Sequence, residues 1–265
     1  MLKLKGVRKV FNQGTINENV ALKDVDLKLE AGDFVTVIGS NGAGKSTLLN
    51  STAGSFGIDA GKIEIDGVDV TEQPDYKRAR LIGRVFQDPL QGTAASMSIE
   101  ENLAMAATRG KRRGLKIGVN KERRIEFKEY LQLLGLGLED RLTDKVGLLS
   151  GGQRQSLTLL MATIVKPKVL LLDEHTAALD PKTAEQVIQL TQKIVNKNSL
   201  TALMVTHDLN QALNMGNRTI MMDNGKIILD VKNPERKGLT IDDLLEKFAQ
   251  KQGKELMNDR ILLAQ

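Results

Sequence analysis

The sequence contains no cysteine and no tryptophan, and aromatic side chains account for only 3% of its 265 residues. Without cysteine there can be no disulfide bond, thiolate metal site or cysteine nucleophile. So few aromatic residues disfavour the stacking platforms that bind single-stranded nucleic acid. The two histidines leave little material for a histidine-based metal centre. Any functional site is therefore expected to use neither thiols nor clustered imidazoles.

Long apolar runs are also missing from the sequence. No segment approaches the 18 or more uninterrupted apolar residues that a membrane-spanning helix needs. The opening residues, MLKLKGVRKV, lack the apolar stretch of a secretory signal. The remaining composition, 41% hydrophobic and 27% charged, is ordinary for a globular protein. We therefore expect a chain of one or two domains that is located in the cytosol.

The net charge is +5, and much of the excess lies in one basic stretch between residues 109 and 124. Positive charge could favour nucleic acid, anionic lipid or a polyanionic ligand, although most charge runs are only solvated surface. Composition therefore leaves the partner open, and contact with anionic lipid headgroups is one hypothesis for the basic stretch. Its residues are Arg109, Lys111, Arg112, Arg113, Lys116, Lys121, Arg123 and Arg124.

The first 70 residues alternate polar and apolar positions in a way that is typical of half-buried antiparallel strands. The pattern is clearest at Leu2–Val7, Val25–Leu29 and Lys62–Asp66. The segment Asp33–Ile38 is more densely apolar, which favours a strand covered on both faces. A further short strand is predicted at Arg84–Gln87.

Helical spacing dominates from about residue 90 to residue 165, which predicts a mainly helical subdomain. Beyond it, the predicted strands Val169–Leu172 and Thr201–Thr206 alternate with helices, which favours a parallel α/β sheet. Asn224-Gly225 lies between two apolar runs and predicts a hairpin. The tail that follows contains one helix candidate, Ile241–Phe248. The apolar positions of the helical subdomain include Ile99, Leu103, Ala106, Ile125, Phe127, Leu131 and Leu134.

Residues 39–46 read GSNGAGKS and match the phosphate-loop pattern G-x-x-x-x-G-K-[ST]. The motif lies between a predicted buried strand and a predicted helix, Lys45–Ala53, which is the context that this chemistry requires. Glycines let the backbone wrap a polyphosphate so that N–H groups point inward at the positive end of a helix dipole. Lys45 would reach the β- and γ-phosphates, and the Ser46 hydroxyl would ligate Mg²⁺.

Two adjacent carboxylates, Asp173 and Glu174, follow the apolar run of the strand that begins at Val169. We expect them to lie at the carboxyl edge of the sheet, beside the phosphate loop. Asp173 would hold Mg²⁺, through water, and Glu174 would accept a proton from an attacking water molecule.

A third motif, Leu149-Ser150-Gly151-Gly152-Gln153, precedes Asp173 by roughly twenty residues and begins a predicted helix. Ser150 can cap that helix, and the two glycines expose N–H groups at its positive end. The pentapeptide is identical to the signature of the ATP-binding cassette (ABC) ATPases, and its order between the phosphate loop and the Asp-Glu strand fits that family. The chain resembles this family over roughly residues 1–230.

The resemblance implies an α/β fold with a P-loop NTPase core and a mainly parallel sheet. It adds an N-terminal antiparallel β-subdomain and an α-helical subdomain, at about residues 90–165, that carries the signature motif. The ABC ATPase domain would span residues 1–233, and a short C-terminal helical tail would span residues 234–265.

The resemblance also assigns roles residue by residue. Gln87 resembles the glutamine that contacts Mg²⁺ and the attacking water, and His207 resembles the switch histidine that contacts the γ-phosphate. Phe11 matches the aromatic residue that stacks on adenine, and Ala178-Leu179-Asp180 resembles the loop that lies along the dimer interface. The implied catalytic residues are Glu174, His207, Gln87 and Lys45, and the implied Mg²⁺ ligands are Ser46, Gln87 and Asp173. The implied ATP-binding residues are Phe11, Gly39, Ser40, Asn41, Gly42, Ala43, Gly44, Lys45, Ser46, Thr47, Gln87, Ser150, Gly151, Gly152, Gln153 and His207.

One position departs from the family pattern. His175 stands directly after Glu174, where the family usually has proline. Proline would restrict this turn, so we expect histidine to loosen it and to add a titratable group, with no catalytic role.

In this family two copies pack head to tail, so that each ATP lies between one phosphate loop and the signature of the other copy. The resemblance therefore implies a second copy, transmembrane permease subunits and an extracytoplasmic substrate-binding protein as partners, and no nucleic acid. The chain would lie at the cytoplasmic face of the inner membrane as a peripheral subunit and drive import of a small, amino-acid-like solute. Two alternatives stay open: a soluble ABC ATPase that acts on nucleic acid or ribosomes, and an ABC adaptor that regulates a membrane complex.

Overall fold

The computed structural model describes residues 1–111 and 117–252. Arg112, Arg113 and Lys116 of the basic stretch, and residues 253–265 of the predicted tail, lie outside the described residues. The contacts between Cα atoms divide the chain into two compact units. The first unit consists of residues 1–78 together with the segment that begins at Ser199, and the second unit consists of Ala79–Asn198.

The described strands and α-helices are numbered in chain order. The strands are β1 (Leu2–Phe11), β2 (Asn19–Leu29), β3 (Phe34–Gly39), β4 (Ala60–Ile65), β5 (Val68–Asp69), β6 (Ile82–Val85), β7 (Val169–Asp173), β8 (Thr201–Val205), β9 (Arg218–Asp223) and β10 (Lys226–Lys232). The helices are α1 (Lys45–Ala53), α2 (Asp75–Arg78), α3 (Ile99–Ala107), α4 (Lys121–Gln132), α5 (Gly151–Thr163), α6 (Pro181–Asn198), α7 (Leu209–Asn214) and α8 (Ile241–Gln252). Among these residues no helix is both long enough and apolar enough to cross a bilayer.

The N-terminal part of the first unit is an antiparallel sheet with the strand order β2-β1-β4-β5. In β2, Val25, Leu27 and Leu29 are buried, while Asp26 and Lys28 between them are exposed. This alternation arises because successive side chains of a strand point to opposite faces. The predicted antiparallel N-terminal subdomain is therefore confirmed.

The other sheet strands of the first unit lie in the order β10-β9-β3-β8. Strand β3 is parallel to both β8 and β9, and β10 is antiparallel to β9. All six residues of β3 are buried, as the dense apolar run predicts. Asn224 and Gly225 have φ values of 47° and 77° and connect β9 to β10, so the predicted hairpin is confirmed.

The helix predicted at Ile241–Phe248 is present as α8, which continues to Gln252. Leu244 and Phe248 of α8 pack in one apolar cluster with Leu209 and Ala212 of α7. The cluster also includes Ile38 of β3, the strand that leads into the phosphate loop. This part of the tail is thus attached to the first unit by its apolar face.

The second unit contains the parallel pair β6 and β7 and the helices α3 to α6. Its helical core includes Ile99, Leu103, Phe127 and Leu131, as predicted. Ile125, however, is 62% exposed. The expectation for Ile125 was wrong because positions two residues apart on a helix point in different directions, so Ile125 cannot share the face of Phe127.

Strand β6 begins two residues earlier than predicted, at Ile82, and ends at Val85. Its register with β7 pairs Ile82 with Val169 and Val85 with Leu172. Beyond Val85, the carbonyl of Phe86 accepts a hydrogen bond from the side chain of Gln155 at 3.1 Å. The strand ends there, and Gln87 is an exposed residue of the following loop.

Candidate functional site

The phosphate loop connects β3 to α1, and α1 begins at Lys45 as predicted. Gly39 and Gly44 have φ values of +148° and +99°, which favour glycine. A Cβ on Gly39 would lie 2.2 Å from the carbonyl oxygen of Met222, and one on Gly44 would lie 2.5 Å from that of Ala21. The path of this loop therefore requires glycine at both positions.

Lys45 is only 5% exposed, and its ammonium group is turned back toward the start of the loop. Its Nζ donates hydrogen bonds to the carbonyls of Gly39 at 2.7 Å and Ser40 at 3.0 Å. Gly44 is the N-cap of α1 and has no side chain that could accept hydrogen bonds from the first turn. Positive charge and the N-terminus of the helix therefore meet at one loop, which is the arrangement that binds phosphate.

His207 lies at the same sheet edge as the phosphate loop. Strand β8 pairs in parallel with β3, and the N–H of Thr206 donates to the carbonyl of Val37 at 3.1 Å. Asp208 then caps α7 by accepting hydrogen bonds from the N–H groups of Asn210 and Gln211. His207 is thus held between a strand end and a capped helix, and the first unit brings it to the edge at which the loop of Lys45 begins.

Phe11 ends β1 and is partly buried. Its ring packs edge to face with that of Phe56 at a centroid distance of 5.3 Å. The Nζ atom of Lys9 lies 5.5 Å from the Phe11 centroid and 5.7 Å from the Phe56 centroid. Sequence reasoning missed Phe56, which follows the C-cap of α1. The adenine-stacking role of Phe11 stays a prediction.

Asp173 ends β7 in the second unit, after four residues, Val169–Leu172, that are all fully buried. Its Oδ2 lies 3.7 Å from Nη2 of Arg84, whose guanidinium also stacks over the ring of Phe86 at 4.4 Å. Burial lowers the pKa of Arg84, and the charge of Asp173 acts in the opposite direction. Sequence reasoning missed Arg84, because its position beside Asp173 depends on the pairing of β6 with β7.

Glu174 has a φ of +43°, a left-handed conformation that is uncommon for a residue with a side chain. His175 is 2% exposed, and its Nε2 lies 3.0 Å from Oγ1 of Thr191 on α6. Burial lowers the pKa of His175 to about 4. The expectation that His175 loosens the turn is therefore wrong: the imidazole is packed and hydrogen-bonded, and its lowered pKa leaves it uncharged at neutral pH.

Ser150 is the N-cap of α5, as predicted, and takes part in a capping box. Its Oγ accepts from the N–H of Gln153 at 3.2 Å, and Oε1 of Gln153 accepts from the N–H of Ser150 at 3.2 Å. A Cβ on Gly152 would lie 2.0 Å from Cγ2 of Thr183 on α6. The N–H of Thr183 in turn donates to Asp180 at 3.1 Å, so the start of the signature helix contacts the residues next to the predicted interface loop.

The side chain of Gln155 is fully buried on α5 and connects the signature helix to the segment before Gln87 through the bond to Phe86. The second unit therefore holds Gln87, Asp173, Glu174 and the signature residues, while the first unit holds Phe11, the phosphate loop and His207. Ser46, Gln87 and Asp173 offer a hydroxyl, an amide oxygen and a carboxylate. These are oxygen ligands of the kind that Mg²⁺ prefers, so the chemistry of each group fits the ion, and their assignment as one ligand set stays a prediction.

Comparisons with known proteins match the chain to one family. Residues 22–177 match the ABC transporter family. The chain is 46% identical over 248 residues to the tyrosine transport ATP-binding protein of Clostridioides difficile, covering 94% of this chain and 98% of that protein. It is 31% identical to the methionine import ATP-binding protein of Corynebacterium efficiens, covering 86% of this chain and 61% of the relative.

A solved structure, the dimeric post-hydrolysis state of an ATP-binding cassette bound to ADP and Pi, superposes on the chain with a TM-score of 0.75. The sequence identity is 33%, and the match covers 88% of this chain and 98% of the other. This chain belongs to the ABC transporter family and is an ATP-hydrolysing, ATP-binding subunit of that family.

Proposed function

We propose that this chain powers a membrane permease that imports an amino acid, and that it works as a head-to-tail dimer at the cytoplasmic face of the membrane. One observation carries the proposal: the chain has two separate helix N-termini with features that favour anion binding. One is the glycine-capped start of α1 with Lys45, and the other is the Ser150-capped start of α5. A triphosphate clasped between α1 of one copy and α5 of the other would join the copies.

In this proposal Lys45 and the N–H groups of its loop bind the β- and γ-phosphates, and Phe11 stacks on adenine. Ser46, Gln87 and Asp173 would hold Mg²⁺, which would neutralise phosphate charge. Ser150 and Gly152 contact the γ-phosphate of the nucleotide held by the other copy. The bound γ-phosphate therefore stabilises the dimer, and its cleavage removes that stabilisation.

Glu174 is the proposed general base, and Gln87 and His207 orient the attacking water and the γ-phosphate. Positioned acids and bases contribute typically about 10²–10⁴-fold to a rate. Since little covalent chemistry is required of the protein, positioning and charge neutralisation account for the remainder.

The names of the relatives support the transport assignment. One relative is a tyrosine transport protein, and another is a methionine import protein. Both substrates are amino acids, which supports an amino acid as the solute and an extracytoplasmic binding protein as a further partner. Dimer closure would then switch the permease between its two access states.

Glu174→Gln tests the proposed site directly. The variant should bind ATP normally, hydrolyse it about 10²-fold or more slowly, and accumulate as an ATP-bound dimer. Glu122→Gln, on the exposed face of α4, is the matched control and should resemble the parent. Normal hydrolysis by Glu174→Gln would exclude Glu174 as the base.

The permease and the solute need a separate experiment. Cells that lack the gene should lose uptake of labelled tyrosine, and the parent chain, but not Glu174→Gln, should restore it. The tagged chain should also co-purify with a multispanning membrane protein. Co-purification with ribosomes or nucleic acid, together with unchanged uptake, would instead favour the soluble ATPase.

A further inference from the structure

Glu174 has an uncommon backbone conformation next to the reacting groups that we propose. Its φ of +43° places a side-chain-bearing residue in the left-handed region. Such a conformation is costly and persists only where the surrounding structure holds it in place. The position of the Glu174 carboxylate therefore depends on what restrains the chain on either side.

The chain before Glu174 is restrained by the sheet. Residues Val169–Leu172 are fully buried, and Leu172 pairs in parallel with Val85 of β6. Asp173 is held by the neighbouring guanidinium of Arg84 at 3.7 Å. The residue that enters the left-handed position is thus attached to a rigid element.

The chain after Glu174 is restrained by α6, through His175. The Thr191 hydroxyl donates to the carbonyl of Val187 at 2.8 Å, so its only hydrogen is already used. Thr191 must therefore accept the hydrogen bond from Nε2 of His175, which fixes the tautomer with hydrogen on Nε2. Thr191 is fully buried and His175 is 2% exposed, so water does not compete for this bond.

We infer that the hydrogen bond from His175 to Thr191 is a positioning contact that holds Glu174 in its left-handed conformation and so aims its carboxylate. The two restraints act on the residues that flank Glu174: β7 and Arg84 hold Asp173 on one side, and α6 holds His175 on the other. The turn also contains a hydrogen bond from the N–H of Ala177 to the carbonyl of Glu174 at 3.0 Å. Loss of the bond to Thr191 removes the anchor of this turn on α6, so the Glu174 carboxylate moves. This inference rests on the proposed role of Glu174 as the general base.

A purely structural role for His175 makes a different prediction. If the imidazole only fills space in the interior, loss of the bond lowers stability and leaves the turnover of the folded protein unchanged. A positioning role lowers kcat of the folded protein and leaves KM for ATP unchanged, because the nucleotide phosphates are bound by the loop of Lys45. A lowered kcat of the folded protein with an unchanged KM for ATP therefore indicates a positioning role, and an unchanged kcat indicates a structural role.

Thr191→Val and Thr191→Ser form the decisive pair. Valine keeps the shape of threonine and removes the acceptor, whereas serine keeps the hydroxyl and removes only a methyl group. Thr163→Val is the matched control, since Thr163 donates to the carbonyl of Leu159 at 2.8 Å in the same manner and has no histidine partner. Steady-state ATP hydrolysis by the full chain is measured well below the unfolding temperature of every variant.

We expect Thr191→Val to lower kcat about tenfold with KM for ATP unchanged, because small misplacements of a reacting group are costly. Thr191→Ser and Thr163→Val should stay within about twofold of the parent. The inference is overturned if Thr191→Val also stays within that range, or if Thr191→Ser loses as much as Thr191→Val. Glu174→Gln is assayed alongside to distinguish this failure from failure of the proposed function. If Glu174→Gln still hydrolyses ATP, the proposed base itself is refuted. If Glu174→Gln loses hydrolysis while kcat of Thr191→Val is unchanged, only the positioning contact is refuted.

Discussion

Gly152 of the signature helix and Thr183 of α6 are in such close contact that a Cβ at position 152 would lie 2.0 Å from Cγ2 of Thr183. The same Cβ would lie 3.5 Å from Cβ of Thr183, an ordinary contact distance. Only the γ-methyl group of Thr183 therefore requires glycine at position 152.

Gly152→Ala should destabilise the protein by about 1–3 kcal/mol, the usual cost of overpacking a well-packed contact. Thr183→Ser removes the opposing methyl group, so the double variant should recover most of that loss in a urea titration. A double variant as unstable as Gly152→Ala would show that the methyl group is not the obstacle.

Arg84 places a positive charge 3.7 Å from the proposed magnesium ligand Asp173. Arg84→Met keeps much of the side-chain volume and removes the charge, so the carboxylate should attract Mg²⁺ more strongly. We expect the Mg²⁺ concentration for half-maximal ATP hydrolysis to fall about fivefold, since one charge at this distance contributes about 1 kcal/mol even in water-like surroundings.

Arg84→Lys should lie between the parent and Arg84→Met, because it keeps the charge and loses the planar group that stacks on Phe86. Arg141→Met, which breaks the solvent-accessible pair of Arg141 with Asp144, is the control. An unchanged Mg²⁺ requirement in Arg84→Met would contradict either the metal role of Asp173 or the influence of Arg84.

Burial lowers the pKa of His175 from 6.5 to about 4. Between these two pH values the unfolded chain binds a proton at this position that the folded chain excludes, so stability falls as the pH falls. This contribution is fully present above about pH 6.5, and about 3 kcal/mol is lost by pH 4. The depressed value is measured by NMR titration of the two imidazoles, with His207→Gln to assign the signals.

The control for this pH dependence is His175→Gln, which keeps a side-chain N–H donor and lacks a titrating ring. Between about pH 6.5 and pH 4, the free energy of unfolding of His175→Gln should fall less steeply with falling pH than that of the parent. An imidazole signal of His175 that titrates near pH 6.5 would contradict the buried, neutral assignment.

Arg236 is 3% exposed and attaches the tail to α7, the helix that follows His207. Its guanidinium donates to Oγ1 of Thr219 and to carbonyls at the end of α7, among them Ala212 at 2.9 Å and Leu213 at 2.6 Å. Arg236→Met would remove the guanidinium from several carbonyls at once, of which Ala212 would still accept from the hydroxyls of Thr36 and Thr219. Since the other carbonyls would lose this donor, stability should fall by about 3 kcal/mol. Lys237→Met, at the exposed neighbouring position, should change stability by about 0.5 kcal/mol at most.

Local motifs were sufficient to predict the parts of the site that depend on neighbouring residues in the chain. The helix start at Lys45, the cap at Ser150 and the hairpin at Asn224 all follow from short patterns with a local physical cause. Such patterns act over a few residues and need no knowledge of packing.

The residues that sequence reasoning missed depend on contacts between distant elements. Arg84 meets Asp173 only because β6 pairs with β7 in a particular register, and His175 reaches Thr191 only because α6 packs against the turn. Register and packing are properties of the folded chain, and no local pattern reports them.

The central claim is that one ATP joins two copies, through Lys45 of one and the signature of the other. It is tested in the Glu174→Gln background with two further variants. Lys45→Ala removes the phosphate contact, and Gly151→Asp adds an anion at the exposed start of α5, where a carboxylate suits the helix dipole and repels the γ-phosphate.

Analytical ultracentrifugation in the presence of ATP measures the oligomeric state of each variant alone and of the two variants mixed in equal amounts. Each variant alone should remain monomeric, since neither of its two sites is complete. The mixture should form a heterodimer, because it contains one site with an intact Lys45 from one chain and an intact signature from the other. Dimers formed by either variant alone, or a mixture that stays monomeric although Glu174→Gln dimerises, would contradict the account.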